Sequence, residues 1–97
     1  MPDSAAPAPA LAIITGAGSR TGIGFATARM LARAGMDVLL TGLSPRVHER
    51  AAEIAAEGLP AHAFTGDLAD ETFVRALAAQ AESIGLPVAA LVNNAGM

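Results

Sequence analysis

Four glycines fall within the nine residues from Gly16 to Gly24, in the segment Thr-Gly-Ala-Gly-Ser-Arg-Thr-Gly-Ile-Gly. Glycine lets a backbone turn sharply and approach a ligand with no Cβ in the way. An apolar run precedes this segment and a helical pattern follows it, so the N–H groups of a helix N-terminus lie at the turn. We therefore predict a phosphate-binding turn, because a merely flexible connector would not need so many glycines.

Polar residues also follow two later apolar runs. Asp67 follows the run 61–65, and the sequence Asn-Asn-Ala-Gly at 93–96 follows the run 88–92. Each has an ordinary structural alternative. The aspartate suits a turn or a helix cap, and the asparagine pair suits the turn that ends a strand. Residue type alone leaves both alternatives open.

Apolar runs alternate with helical patterns along the whole chain. The runs with the composition of buried strands are 10–14, 38–40, 61–65 and 88–92, and the helical segments are 23–34, 45–57 and 71–84. Strands that alternate with helices form a parallel sheet with right-handed crossovers. We predict an α/β fold, a Rossmann-type doubly wound parallel sheet with elements β-α-β-α-β-α-β and strand order 3-2-1-4.

Capping residues set the limits of the predicted helices. Ser44 and Pro45 suit the start of the second helix, because serine caps free N–H groups and proline lacks the N–H that a first turn leaves unpaired. Asp70 suits the cap of the third helix. Residues 1–9 contain three prolines and are predicted to form a disordered or extended lead-in. The predicted dinucleotide-binding domain then spans 10–97.

Helical spacing assigns side chains to one face of two helices. In the first helix the apolar residues at spacings of three and four are Ile23, Ala26, Met30 and Ala34. In the third helix the corresponding residues are Phe73, Leu77, Gln80 or Ala81, and Ile84. These two sets are the predicted apolar faces.

The composition excludes several classes of protein. With six basic residues, all arginine, and a formal net charge of −3, the chain lacks the concentrated basic face that nucleic-acid binding needs. It has no cysteine, and neither His48 nor His62 has a second ligand at metal spacing, so we expect no metal site. No apolar run approaches the ~20 residues of a membrane helix, and the first residues are not a secretory signal. We predict a cytoplasmic protein with neither a nucleic-acid nor a membrane partner.

Two motifs resemble those of the short-chain dehydrogenase/reductase family. That family has Thr-Gly-x-x-x-Gly-x-Gly after its first strand and Asn-Asn-Ala-Gly after its fourth, and this chain carries both, with the family's aspartate at Asp67. One departure is that five residues, not three, separate Gly16 from Gly22. A motif that starts at Gly18 restores the spacing but has Ala17 in place of the threonine. We favour an enlarged turn over 17–21 that starts at Thr15-Gly16, because Thr15 directly follows the apolar run. The resemblance covers nearly the whole chain, as the cofactor-binding half of the family's fold. The Asn-Asn-Ala-Gly motif followed by methionine also resembles the corresponding segment of 3-oxoacyl-carrier-protein reductases.

The resemblance implies roles for individual residues. The glycine-rich turn would line the pyrophosphate, and Asp67 would accept a hydrogen bond from the adenine amino group. The residues after the fourth strand would lie along the riboses, with Asn93 also joining neighbouring strands. The cofactor-binding residues predicted in this way, together with those that follow from the choice of cofactor, are Thr15, Gly16, Ser19, Arg20, Gly22, Ile23, Gly24, Ser44, Arg46, Asp67, Leu68, Asn93, Ala95 and Gly96.

The choice between NAD(H) and NADP(H) depends on the end of the second strand. An acidic residue there binds the ribose 2′-hydroxyl and repels a 2′-phosphate, but the chain has Gly42 in that position. Leu43 stands where NADP-type relatives often have arginine. Arg20 and Arg46 are the remaining basic candidates, and Ser44 at the start of a helix could add a hydrogen bond to a phosphate. The absent carboxylate favours NADP(H), although Arg46 taken alone suits an ordinary solvated helix residue.

The resemblance implies hydride transfer between the nicotinamide and a carbonyl or alcohol substrate. Family members handle the proton with a Tyr-x-x-x-Lys helix and an upstream serine. This chain contains no tyrosine and no lysine, so we assign no catalytic residue and expect those groups beyond Met97, with the full-length protein a homo-oligomer. Two alternatives stay open: a non-catalytic nucleotide-binding or regulatory module, and a truncated chain without independent activity.

Overall fold

The computed structural model describes residues 9–18 and 22–94. Its strands are β1 (Leu11–Thr15), β2 (Asp37–Gly42), β3 (Ala61–Thr65) and β4 (Val88–Val92). Its helices are α1 (Ile23–Arg33), α2 (Arg46–Ala55) and α3 (Glu71–Ile84). The predicted alternation is therefore confirmed. The lead-in predicted over 1–9 lies outside the described residues except for Pro9, which is exposed.

The four strands form one parallel sheet in the order β3-β2-β1-β4, as predicted. In the centre, Ile14 of β1 pairs with Leu40 of β2, and Leu40 pairs with Ala63 of β3. Because all strands run in the same direction, the segments that follow them emerge at one edge of the sheet. This edge brings residues 15–18, 41–46, 66–69 and 93–94 into one region.

Helices cover both faces of the sheet at β1 and β2, whereas Val88 and Leu91 of the edge strand β4 are exposed. On one face, α1 and α2 cover the side chains of Ala12, Ile14, Val38 and Leu40, all fully buried. On the other face, α3 covers Leu11 and Leu39 with the side chains Phe73, Leu77 and Ala81. The prediction for the face of α3 is confirmed. None of the described helices has both the length and the apolar character that a membrane span requires.

The apolar face predicted for α1 is turned away from the sheet, so that prediction was wrong. Ile23 is 75% exposed and Met30 is 66% exposed. The residues that α1 buries instead are Gly24, Phe25, Ala28 and Ala32. Three of these are small, which lets the helix backbone lie close to the sheet, where the longer side chains would not fit. Helical spacing grouped apolar residues on one side of α1 but did not show which side packs against the sheet.

The helix ends follow the predicted signals except in α2, which begins at Arg46 with Pro45 as its N-cap instead of beginning at Pro45 after a Ser44 cap. Asp70 caps α3, with its Oδ1 accepting a hydrogen bond from the Thr72 N–H at 2.9 Å. Gly85 ends α3 in the left-handed region with φ 82°, which glycine adopts at little cost. α2 ends at Ala55 instead of extending to Glu57. Residues 56–58 form a turn that precedes β3.

Glu57, in this turn, joins α2 to α1 through two arginines. Arg29 Nε donates to Oε2 at 2.7 Å, and Arg33 Nε donates to Oε1 at 3.0 Å. The hydrogen bond from Arg33 is the main cause that lowers the pKa of Glu57 below its ordinary value of 4.5. The hydrogen bond from Arg29 lowers this pKa further. Partial desolvation acts in the opposite direction but does not offset them.

The lowered pKa of Glu57 predicts a pH-dependent contribution to stability. Folding favours the ionised carboxylate, so the contribution is fully present above pH 4.5 and is lost as the pH falls through the lowered value in the folded protein. We expect Glu57→Gln to lower the melting temperature at pH 7 and to have a smaller effect at pH 3. Glu82→Gln, at an exposed position of α3, is the control and should change neither value. Equal losses for Glu57→Gln at both pH values would contradict the assignment.

Candidate functional site

A cleft with a volume of about 740 Å³ opens at the edge where the strands end. It is lined by Gly16, Gly18, Thr41, Gly42, Leu43, Ser44, Arg46, Gly66, Asp67, Leu68, Ala69, Asn93 and Asn94. These residues come from the segments that follow all four strands. Four of them are glycines, so much of the wall is backbone without side chains. Such a wall suits an extended polar ligand that hydrogen-bonds to the main chain.

The turn after β1 forms one side of the cleft. Gly16 has φ 66°, a left-handed conformation that glycine adopts without strain. Ala17 is fully buried, and its N–H donates to the Thr41 carbonyl at 3.2 Å, which joins the turn to the end of β2. Gly22 then caps α1 without a side-chain hydrogen bond, and the first turn of α1 has no acidic residue. The N-terminus of α1 therefore keeps its positive end for an anionic ligand.

Gly24 packs directly beneath this turn. A Cβ at position 24 would lie 2.8 Å from the Gly16 carbonyl oxygen, 2.8 Å from Asn94 Nδ2 and 3.1 Å from Ala17 Cα. Real Cβ atoms do not approach backbone oxygen so closely. Position 24 must therefore be glycine for the turn and α1 to lie as close together as they do.

The Thr15 hydroxyl connects the ends of β1 and β4. Its Oγ1 accepts a hydrogen bond from the Asn94 N–H at 2.9 Å, and donates to Asn93 Oδ1 at 3.1 Å. The Asn94 side chain continues the connection, because its Nδ2 donates to the Gly16 carbonyl at 3.2 Å. Thr15 is only 4% exposed, so its own side chain is largely shielded from water. The asparagine pair thus holds the glycine-rich turn against β4.

Asp67 and the start of α2 form the other sides of the cleft. Asp67 Oδ1 accepts from the Ala69 N–H at 2.9 Å, so the turn alternative for this residue applies. None of the described residues donates to its Oδ2, which stays available at the cleft. Across from it, Ser44 Oγ accepts from the Arg46 N–H at 3.3 Å and keeps its own proton to donate. The Arg46 side chain is exposed, and no carboxylate of the described residues forms an ion pair with it.

Comparisons with known proteins identify the family. The model of the short chain dehydrogenase family matches residues 10–97. The chain belongs to this family. Its members are oxidoreductases that bind nicotinamide dinucleotides. Two relatives are polyprenol dehydrogenase of Mus musculus, 44% identical over 90 residues, and 1-deoxy-11-beta-hydroxypentalenate dehydrogenase of Streptomyces arenae, 40% identical over 87 residues.

A solved structure of actinorhodin polyketide ketoreductase with NADPH is also similar, with a TM-score of 0.84 and 32% identity. It matches over 92% of this chain and 34% of its own. The two dehydrogenases match over 90% and 89% of this chain and over 26% and 30% of their own length. The chain thus spans between about a quarter and a third of the length of these short-chain dehydrogenases. The finer resemblance to 3-oxoacyl-carrier-protein reductases stays a prediction.

Several of the cofactor-binding residues that the sequence predicts meet at the cleft. Those that line it are Gly16, Ser44, Arg46, Asp67, Leu68 and Asn93. Those beside it rather than in its wall are Thr15, Gly22, Ile23 and Gly24. Ser19, Arg20, Ala95 and Gly96 lie outside the described residues. Among the described residues, no group of three or more His, Asp or Glu side chains could bind a metal ion.

Sequence reasoning missed other residues of the cleft. The most important is Asn94, whose side chain bonds to Gly16 and which differs from its neighbour Asn93 only by position. Gly66 is the second, because a Cβ there would lie 2.0 Å from the ring of Phe73. A glycine immediately before Asp67 is a signal in the sequence that another part of the chain packs closely against this position. Gly18 belongs to the glycine-rich turn that the sequence predicts, although it was given no role of its own, and Ala69 carried no signal.

The Thr15 connection gives a testable prediction. Thr15→Val keeps the shape of the side chain but removes the hydroxyl, so the Asn94 N–H and Asn93 Oδ1 lose their partner. We expect a loss of about 0.5–1.5 kcal/mol in the free energy of unfolding, the usual net contribution of a hydrogen bond, because Asn93 and Asn94 are exposed and water can partly replace the hydroxyl. Chemical denaturation measures it. Thr15→Ser keeps the hydroxyl and should retain most of the stability; if the two variants are equally stable, the hydroxyl does not hold the strands together.

Proposed function

We propose that this chain binds NADP(H) in the cleft and serves as the cofactor-binding part of an oxidoreductase that acts on a carbonyl or alcohol substrate. The observation that carries the proposal is the glycine-walled cleft at the N-terminus of α1. Among the described residues that line it, Arg46 is the one cationic side chain, and no acidic residue occupies position 42. Membership of the short-chain dehydrogenase family supports it.

The described residues fit a dinucleotide by their chemistry. The wall formed by Gly16 and Gly18 has no Cβ to keep a pyrophosphate from the backbone, and the N-terminus of α1 supplies positive potential. The free Oδ2 of Asp67 can accept the adenine amino group, with Leu68 beside it. Asn93 lines the opposite side, near the riboses in this arrangement. Together they make up the cofactor-binding domain that we propose for residues 10–97, preceded by the lead-in over 1–9.

When bound, the cofactor supplies hydride transfer at its nicotinamide ring. This chain's residues bind and orient it and hold no group suited to transfer the substrate proton, since the chain has no tyrosine and no lysine. Proton transfer therefore requires residues outside this sequence. The full-length protein, which we propose to be a cytoplasmic homo-oligomer, is the species to assay for turnover.

Selectivity for NADP(H) follows from charge at the end of β2. NAD-type sites use an acidic side chain there to bind the 2′-hydroxyl and repel a phosphate. Gly42 offers neither, while Arg46 and Ser44 next to it offer a cation and a hydroxyl donor. An NADPH-bound ketoreductase among the similar structures supports this choice of cofactor.

The role of Arg46 is testable by binding. We expect Arg46→Ala to weaken NADPH binding about tenfold, since one charge-assisted hydrogen bond contributes ~1.5–3 kcal/mol. NADH affinity should change less than about twofold. Titration calorimetry with both cofactors measures this. Arg75→Ala is the control, because Arg75 is an exposed arginine of α3 that pairs with Glu71 outside the cleft. Equal losses for NADPH and NADH would contradict the proposed contact with the 2′-phosphate.

A carboxylate at position 42 should reverse the cofactor preference. A Cβ there would lie 3.7 Å from the Gly18 nitrogen and 3.7 Å from Val47 Cβ, which is ordinary contact, so position 42 has room for the Cβ of an aspartate. Its charge would repel the 2′-phosphate and accept the 2′-hydroxyl of NADH. We expect NADH to bind more tightly than NADPH in this variant. Gly42→Ala, which adds the Cβ alone, should keep the original preference; an unchanged preference in Gly42→Asp would place the 2′-position elsewhere.

A further inference from the structure

Arg50 is a buried cation in the middle of α2. It is only 7% exposed, and its Cζ lies 5.8 Å from the centre of the Phe25 ring on α1. Its Nη2 pairs with Glu53 at 2.8 Å and with Glu49 at 3.3 Å. Among the described residues, none accepts a hydrogen bond from its buried Nε. The guanidinium therefore lies between two helices with part of its hydrogen-bonding capacity unused.

Stability alone does not explain an arginine at this position. Burying a guanidinium costs hydration energy, and replacing a buried ion pair with apolar side chains of similar volume is often neutral or stabilising. Nε adds to that cost because it has no described partner. A leucine or methionine would cover Phe25 without either penalty. The arginine is therefore better suited to fixing how α2 lies on α1 than to raising the free energy of unfolding.

Core packing and contacts with α1 hold α2 in different ways. Val47, in the first turn of α2, is fully buried in the core that covers one face of the sheet, so it holds α2 on the sheet. Arg46 lies against the glycine-rich turn, where a Cβ at Gly18 would be 3.8 Å from Arg46 Cβ. Between α2 and α1, Arg50 over the Phe25 ring is the contact of defined geometry nearer the cleft, with Glu57 joining the two helices at the remote end.

We propose that Arg50 is a positioning residue for cofactor selectivity: its contact with Phe25 fixes α2 on α1 and thereby holds Arg46 at the end of the cleft. Arg46 precedes Arg50 by four residues, one helical turn, so the two side chains lie on the same side of α2. Phe25 lies in the first turn of α1, immediately after Gly24 beneath the glycine-rich turn. The contact therefore links the phosphate-binding turn to the proposed 2′-phosphate contact. This inference rests on the proposed function.

Two variants test it in the protein produced from its complete coding sequence. Arg50→Met removes the charge and planar group but keeps an apolar side chain against Phe25. Phe25→Leu removes the ring surface and leaves every charge in place. The readout is the ratio of the NADH and NADPH dissociation constants, measured by calorimetry beside the melting temperature. We expect each variant to lower this ratio at least about fivefold, through weaker NADPH binding, while NADH affinity changes less than about twofold.

Arg33→Met is the matched control, because it removes an arginine of the helix pair at the end remote from the cleft. It should lower the melting temperature and leave the ratio unchanged. Should Arg50→Met fail to fold, Phe25→Leu decides the question alone. A folded Arg50→Met or Phe25→Leu protein with an unchanged ratio, or with equal losses for both cofactors, would overturn the proposal and leave Arg50 a structural residue.

The wild-type protein separates this inference from the proposed function. If it binds neither cofactor, or prefers NADH, the proposed function fails and the selectivity role of Arg50 fails with it. If it prefers NADPH and Arg46→Ala abolishes the preference, the proposed function stands. An unchanged ratio in both positioning variants would then refute the inference alone.

Discussion

The Thr15 hydroxyl joins the ends of β1 and β4, and the position of the glycine-rich turn depends on that junction. The hydroxyl accepts from the Asn94 main chain, while the Asn94 side chain donates to the carbonyl of Gly16. A displacement of β4 would therefore disturb the turn itself as well as the pairing of the strands. The segment that follows the last strand thus fixes the segment that follows the first, although some 78 residues separate them in the chain.

Close approach between backbones is the second constraint, and it determines which residues of α1 are buried. Gly24 lies against the Gly16 carbonyl, and Ala28 and Ala32 continue the contact along the sheet. A helix held so near the sheet has little room there for larger side chains: Phe25 lies towards α2 beside Arg50, and Leu31 packs against the core only partly buried. The larger apolar residues Ile23 and Met30 consequently lie on the opposite side of the helix. The same glycine that permits the turn thus explains the orientation of the whole helix.

This orientation shows what the sequence could and could not predict. β3 and β4 were predicted with correct limits, and the face of α3 followed from Phe73 and Leu77, because these elements combine one clear periodicity with nearby glycines. In α1 apolar residues occupy more than one side, so periodicity could not distinguish the covered face from the exposed one. Most residues of the cleft that directly follow a strand were recognisable by motif. Asn94 was not, because its importance comes from a contact with Gly16 that only the folded chain creates.

In the proposed arrangement, selectivity between NADPH and NADH depends more on where Arg46 is held than on its charge alone. An arginine on a long flexible side chain at an exposed site contributes little by attraction alone, because solvent screens it and ordering the side chain costs entropy. Discrimination of a single phosphate requires that the charge be held where the phosphate lies and nowhere else. With no carboxylate at Gly42 to repel a 2′-phosphate, the preference that we propose for NADPH depends on how α2 presents Arg46. Under that proposal, the contacts that fix α2 on α1 and on the glycine-rich turn contribute to recognition even where they touch no ligand.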